Sequence, residues 1–377
     1  MKNISLYIHI PFCHKAKCLY CDFVSFCNQK EQINSYVSAL CREISFYKTA
    51  LSGYQISTIF IGGGTPSLLS KTQMRRIFAS LRKNFDLSAC REITIECNPE
   101  SILDSKLQCY KELGINRISI GCQTMNDNVL SLIGRQHKRK HFEKALSLAQ
   151  KYFENINVDM MLGLPSQTLN DVMSMAEYLV KKGVPHVSAY SLMLEEKTPL
   201  CALVSKGNMV LPSDDESIQM YDKLSKYLSQ NGIKRYEVSN FAFKGKECLH
   251  NLNYWNYGEY VGFGVASHSY FEGKRFCNTS ILQEYLDKLS LHKTPVESCE
   301  TLSKEQTREE FVMLSLRTKW GIDLDKYKEQ FGASLLEQKR NEIDMLLEHK
   351  FIKLSTRHLS LTSKGFHVLN SIVLALC

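Results

Sequence analysis

The stretch Pro11–Asp22 reads PFCHKAKCLYCD and gathers Cys13, Cys18 and Cys21 into one short loop. Thiolates this close in sequence can converge on one inorganic centre. Soft thiolate ligands select zinc, copper(I) or iron–sulfur clusters. A closed structural zinc site takes four ligands, usually as two Cys/His pairs, and no second C-x-x-C follows downstream. Three thiolates without a fourth suit a four-iron cluster whose last iron stays open to another molecule. From spacing alone, an incidental grouping in a cysteine-rich chain stays open as the plainer explanation.

Working outward, Ile4–Ile10 (ISLYIHI) is β-branched and alternating, so it predicts a strand that delivers the chain into the cysteine loop. Ile33, Tyr36, Val37, Leu40, Ile44 and Tyr47 recur at helical spacing and predict a helix over 29–51. A second strand, Ile56–Ile61, runs into Gly62-Gly63-Gly64-Thr65-Pro66-Ser67, and Ser70 with Gln73 forms a capping box for the next helix. Glu92–Cys97, Arg117–Gly121, Asn157–Leu162 and His186–Leu192 continue as strands, each separated from the next by helical patterning. Strands alternating with helices imply βαβ crossovers and a parallel sheet. In parallel α/β sheets and barrels, ligands sit at the C-terminal ends of the strands.

The chemistry-bearing residues fall at those ends. The cysteine loop follows strand one, the glycine run follows strand two, and Glu96 closes strand three. Gln123 follows strand four, and Asp159 lies in strand five. A glycine run lets backbone approach a ligand closely, although alone it is an ordinary turn. A carboxylate there can take a ligand ammonium or ribose hydroxyls, or simply cap a helix. Arg135, in LIGRQHKRK, can grip a carboxylate with two parallel bonds or sit in a solvated basic run.

Composition sets the class. The chain has 377 residues, 44% hydrophobic and 23% charged, which is ordinary for a globular protein with a second, smaller domain. Most of its 14 cysteines stand singly in apolar or helical runs. This is the usage of small buried hydrophobes in a reducing compartment rather than of a disulfide framework. No signal-peptide pattern opens the chain and no run of about 18 apolar residues occurs, so a cytoplasmic location is expected. The net charge is +8, but the C-terminal region is nearly balanced, so no nucleic-acid partner is expected.

The segments YIHIPFC, GGGTPS, TIECNPE, RISIGCQTMND, GRQH and NVDMMLGLPSQT resemble the radical S-adenosylmethionine superfamily. More narrowly they resemble the oxygen-independent coproporphyrinogen III oxidase-like group. The resemblance continues through YEVSNFA, HNLNYW (His250–Trp255), YVGFGVASHS and LTSKG, so it covers nearly the whole chain. It implies an α/β fold: a partial (β/α)6 radical-SAM barrel with a C-terminal helical, winged-helix-like domain. The implied domains are 1–240 for the barrel, 241–300 for a connecting region with the HNxxYW motif, and 301–377 for the C-terminal domain. Cys13, Cys18 and Cys21 would ligate a [4Fe–4S] cluster. S-Adenosyl-L-methionine would chelate the open iron and be cleaved to methionine and a 5′-deoxyadenosyl radical. Tyr7 and Tyr20 match positions beside cluster and cofactor, and Gly63, Gly64 and Thr65 match the cofactor loop. Glu96, Gln123, Arg135 and Asp159 match the polar residues that hold the cofactor.

Two branches of the group differ at readable positions. The oxidases place a fourth cysteine two residues after the third and carry a long N-terminal arm. Here Phe23 stands at that position and twelve residues precede Cys13. The haem-chaperone branch lacks the fourth cysteine and carries H-N-x-x-Y-W, matched in full by His250–Trp255. The resemblance therefore implies a haem chaperone delivering haem to acceptor proteins, with an electron donor for the cluster and a homodimer left open. The alternative is the oxidase itself, decarboxylating coproporphyrinogen propionates, and whether the chain is an enzyme stays open. An imidazole can ligate haem iron, which makes His250 the candidate haem contact, with His268 and His9 as rivals. The C-x4-C-x2-C spacing has one residue more between Cys13 and Cys18 than the family pattern. Cys27 is a conceivable substitute ligand.

Overall fold

The computed structural model describes residues 2–14 and 16–377. Lys15, one of the four residues of the lengthened Cys13–Cys18 spacer, lies outside them. The main sheet comprises β1 (Lys2–Ile10), β2 (Tyr54–Gly63), β3 (Glu92–Cys97), β4 (Arg117–Gln123), β5 (Asn155–Leu162) and β6 (His186–Ser191). It continues with β7 (Lys234–Arg235), β8 (Asn240–Ala242), β9 (Tyr260–Phe263), β10 (His268–Phe271), β11 (Lys274–Asn278) and β12 (Val296–Thr301). Their order across this 12-stranded sheet is β12-β11-β10-β9-β1-β2-β3-β4-β5-β6-β8-β7. β1 to β6 are parallel neighbours in chain order, as the alternation of strands and helices predicts. The order does not close on itself, so the barrel is partial, as expected.

β1 has parallel partners on both edges, β2 on one and β9 on the other. Ile4, Leu6, Ile8 and Ile10 are all fully buried. Helix Lys71–Asn84 starts at the expected Ser70 capping box, where the Gln73 N–H donates to Ser70 Oγ at 3.2 Å and the Ser70 N–H to Gln73 Oε1 at 2.8 Å. The helix expected over 29–51 is shorter, Ile33–Phe46, behind a single 3-10 turn. The segment 241–300 holds two helices, Leu249–Trp255 and Leu282–Ser290, and the strands β9–β12 that extend the sheet past β1. β9 escapes sequence reading because it has only four residues and includes Gly262. A Cβ there would meet the His268 carbonyl oxygen at 2.3 Å, so glycine sits where alternation would otherwise show.

Glu43 ties these additions to the barrel. Fully buried on helix Ile33–Phe46, it accepts from the Tyr285 hydroxyl (2.6 Å), the Asn278 amide (2.5 Å) and the Gly264 N–H (2.8 Å). Gly264 has φ +110, and a Cβ there would meet the Tyr36 hydroxyl at 2.3 Å. Residues 304–376 have a separate core around Phe311, Leu316, Tyr327 and Leu359. This region holds a hairpin, Ile352–Leu354 and His358–Leu361, to which Ile322–Asp323 adds a third strand. An unforeseen helix, Leu324–Phe331, is capped by Asp323 and ended by Gly332 at φ 74. This region docks on the barrel through Arg235 stacked on Phe366 at 3.7 Å and His367 paired with Asp222 at 3.1 Å. Among the described residues no helix is long and apolar enough to cross a membrane.

Burial pushes the Glu43 carboxyl up from 4.5 to about 7, although three donors oppose the shift. A carboxyl raised in the folded state stabilises fully below its unfolded pKa and loses that contribution as pH climbs through its folded pKa. Urea denaturation should therefore show stability falling between pH 4.5 and about 7. Glu43→Gln should remove one carboxyl's share of that fall, roughly 3 kcal/mol at most. An unchanged slope would contradict this account of the network.

Candidate functional site

A pocket of about 440 Å³ opens at the C-terminal ends of the parallel strands. Cys13, Cys18, Cys21, Tyr20, Gly63, Gly64, Thr65, Glu96, Gln123, Arg135 and Asp159 all line it. These side chains come from five strand ends and one loop, and the parallel topology alone brings them together. Tyr7 does not line this pocket. It stands beside it in a neighbouring cleft, with its hydroxyl 3.0 Å from His9 Nδ1.

The cysteine loop is pinned at several points. Phe12–Cys13 pairs in parallel with Phe26–Cys27, and the Phe26 N–H donates to the Pro11 carbonyl at 2.7 Å. The Leu19 N–H donates to the Ile133 carbonyl and the Leu200 N–H to the Leu19 carbonyl. The Cys21 N–H donates to the Cys18 carbonyl, and Arg135 Nη1 lies 3.6 Å from Cys18 Sγ. Burial pushes the Cys21 thiol up to about 11, and its neighbours Cys18 and Cys13 add to the effect. Cys27 stands opposite Cys13 in the two-residue ladder but is not part of the pocket lining. Among the described residues no three His, Cys, Asp or Glu side chains stand close enough to share a single metal ion. The three thiols are separate donors around one space.

The glycine run works differently from its sequence reading. Its N–H groups serve the protein: Gly63 donates to Glu96 Oε2 (3.1 Å), Gly64 to the Ile10 carbonyl (2.9 Å) and Thr65 to the Phe12 carbonyl (2.8 Å). A Cβ at Gly64 would meet the Phe12 backbone at 2.7 Å, and one at Gly63, where φ is +112, would meet the His9 ring at 2.6 Å. The glycines let the cysteine loop lie directly on the second strand's turn.

Glu96 and Asp159 cap no helix, and Arg135 is not part of a solvated run. Burial and then the neighbouring Asp159 raise the Glu96 carboxyl to about 8. Asp159 accepts from the Asn157 amide (2.6 Å) and the Ser119 hydroxyl (3.2 Å). Arg135 reaches Asn98 Oδ1 at 3.2 Å and the Gly121 carbonyl, while its Nε is buried without a partner. Gln123 follows a bulge in the β4–β5 pairing and has φ 70, a conformation rare outside glycine. The donor set fits a zwitterionic nucleoside cofactor beside an iron–sulfur cluster. It offers three thiols, two half-buried carboxylates lacking a cation at hydrogen-bond range, and a guanidinium with an unsatisfied nitrogen. His137 and His141 also stand four residues apart, but His137 is buried on the Cys122 carbonyl and His141 caps the Lys138 N–H.

Residues 7–179 match the family model described as the radical SAM superfamily, and residues 302–368 match the HemN C-terminal domain. The chain is 35% identical over 372 residues to the heme chaperone HemW of Lactococcus lactis, covering 98% of this chain and 96% of that protein. The chain belongs to the HemW family. It is 37% identical to HemW of Bacillus subtilis over 88% of each chain. It is also 31% identical to the mouse mitochondrial radical S-adenosyl methionine domain-containing protein 1, covering 99% of this chain and 87% of that one. The fold is that of coproporphyrinogen III oxidase (HemN) from Escherichia coli, at TM-score 0.86 and 22% identity, over 100% of this chain and 90% of that one.

The HNLNYW motif forms the helix Leu249–Trp255, and here the sequence reading of His250 needs correcting. His250 is buried, with Nδ1 2.8 Å from Thr58 Oγ1 and Nε2 2.8 Å from the Tyr254 hydroxyl. Burial, then Arg117, lowers its pKa to about 3. Both ring nitrogens are engaged within the protein. The motif is architectural: Asn253 donates to the Glu259 carbonyl, Tyr254 packs edge-on against Tyr260 at 4.6 Å, and Arg317 covers Trp255 at 5.6 Å. Sequence reasoning also missed Asn98, whose amide donates to Thr65 Oγ1 at 3.1 Å while its oxygen receives Arg135. Its position directly after a strand end was the available signal.

By NMR, the Glu96 carboxyl of the ligand-free protein should titrate near 8. In Asp159→Asn the midpoint should move down, because the like charge is gone. A midpoint unmoved by that substitution would remove Asp159 as a cause.

Proposed function

We propose that this protein is a haem chaperone that carries a [4Fe–4S] cluster and S-adenosyl-L-methionine and delivers haem to acceptor proteins. The observation that carries the reading is the match to HemW over nearly the full length of both chains. Phe23, where an oxidase places its fourth cysteine, supports it. In this reading Cys13, Cys18 and Cys21 ligate the cluster, since they and not Cys27 line the pocket. When bound, the cluster supplies a single electron at its open iron. Asp159 offers negative charge to the cofactor's ammonium or hydroxyls. Glu96, largely protonated at neutral pH in the empty pocket, gains charge when a cationic group docks beside it. Arg135 offers positive charge to the cofactor's carboxylate, and Gln123 adds a neutral amide. Tyr20, half-buried and packed against Val129, Ile133, Met161 and Leu164, screens one side of the pocket. A protein electron donor reduces the cluster. The protein works in the cytoplasm, a compartment that suits a chain whose 14 cysteines are all free thiols.

Anaerobic reconstitution tests the ligand set. Replacing Cys13, Cys18 or Cys21 singly with Ala should abolish the cluster's visible absorbance and iron content, whereas Cys27→Ala should retain both. Loss of the cluster in Cys27→Ala with retention in Cys13→Ala would reverse the assignment. Haem titration followed by absorbance should saturate at one equivalent per chain, and haem should then pass to an apo-acceptor. With reductant, S-adenosylmethionine and coproporphyrinogen III, no protoporphyrinogen should form. Its formation would favour the oxidase.

A further inference from the structure

Beside the cluster pocket lies a second cleft of about 600 Å³, in the range of cofactor sites. It lies between β1, the β9–β11 hairpins and helix Lys304–Ser315. We propose that this cleft seats the haem and that His268 supplies the axial ligand to its iron, an inference that rests on the haem-chaperone reading above.

Three observations converge. The walls are aromatic and apolar: Tyr254, Tyr257, Tyr260, Tyr270, Met313 and Leu314 line the space. Tyr254 and Tyr260 pack edge-on, and Tyr257 and Tyr270 pack at a tilt of 48° with centroids 4.9 Å apart. Flat, rigid surfaces of this kind suit the face of a large planar macrocycle. The second observation concerns histidines. Iron ligation needs a ring nitrogen with a free lone pair. His9, the other histidine lining the cleft, spends Nδ1 on the Tyr7 hydroxyl and Nε2 on the Val24 carbonyl at 2.9 Å. His250 lies behind Tyr254 with both nitrogens engaged. His268 is exposed, and no hydrogen bond, ion pair or ring contact among the described residues engages its imidazole. Third, the cleft contains one guanidinium, Arg275, held by Glu310 at 2.5 Å and Glu300 at 3.6 Å. A porphyrin propionate can take the place of either carboxylate on it. The binding step is ligation without redox change: a nitrogen lone pair of His268 forms the bond to iron, and water or another weak ligand leaves.

The HNLNYW motif acquires a role in this arrangement. His250 fixes the Tyr254 phenol from behind, so the motif builds a wall of the cleft and does not touch the iron.

The test is titration of the full-length protein with ferric haem, read by the Soret band and electron paramagnetic resonance. His268→Ala should lose the wild-type spectrum and at least tenfold in affinity, and added imidazole should restore the spectrum. Because the His268 side chain is exposed and unbonded, this variant should fold. Leu314→Trp, which fills the cleft, should weaken haem binding with the ligand still present. A His268→Ala spectrum and affinity equal to wild type would overturn the ligand assignment and leave the chaperone reading standing. Unchanged affinity in a folded Leu314→Trp would overturn the cleft. Failure of the wild-type protein to bind haem would overturn both the chaperone reading and this inference.

Discussion

The pairing of β1 with parallel strands on both edges is the constraint on which the site depends. A strand held on one edge can slip or fray at its end. β1 is registered through Ser5–Ile8 against β9 and through Lys2–Ile10 against β2. Its last residues therefore arrive at the cysteine loop with position and direction set. The turn after β2 then closes on the same place, with Gly64 and Thr65 bonded to carbonyls of Ile10 and Phe12. The two loops are one object, and the glycines are there because any side chain would part them.

The pocket built on this object is electrostatically unusual for a protein interior. Two carboxylates face one space, and the cost of burying them is visible in the raised Glu96 pKa of about 8. Groups held in so unfavourable a state signal a function that uses the charge. The neighbouring cleft is more aromatic, with tyrosines, a methionine and a leucine around an Arg275–Glu310 ion pair, Asp22 and one unengaged imidazole. One fold thus keeps a polar compartment and an aromatic one side by side, which suits a protein that carries two chemically different guests.

Much of this was legible in the chain. Long strands with clear alternation, such as Ile4–Ile10 and Glu92–Cys97, and the capping box at Ser70 declared themselves because their signals are local. The strand-end placement of Glu96, Gln123 and Asp159 was readable for the same reason. What was hidden depends on distant partners. β9 is four residues with a glycine, intelligible only once β1 lies beside it. Asn98 matters only because Thr65 and Arg135 arrive from elsewhere. His250 misled because an invitingly placed histidine in a motif carries no sign of whether its nitrogens are already engaged. That information resides in Thr58, far away in the chain.

Phe23 is 63% exposed and, with Asp22, lines both the cluster pocket and the aromatic cleft. Two compartments with a shared partition are thermodynamically linked. If filling one shifts the partition and changes the affinity of the other by some factor, filling the second changes the first by the same factor. The position where the oxidase resemblance implies a fourth cysteine is here an exposed aromatic ring that borders both compartments.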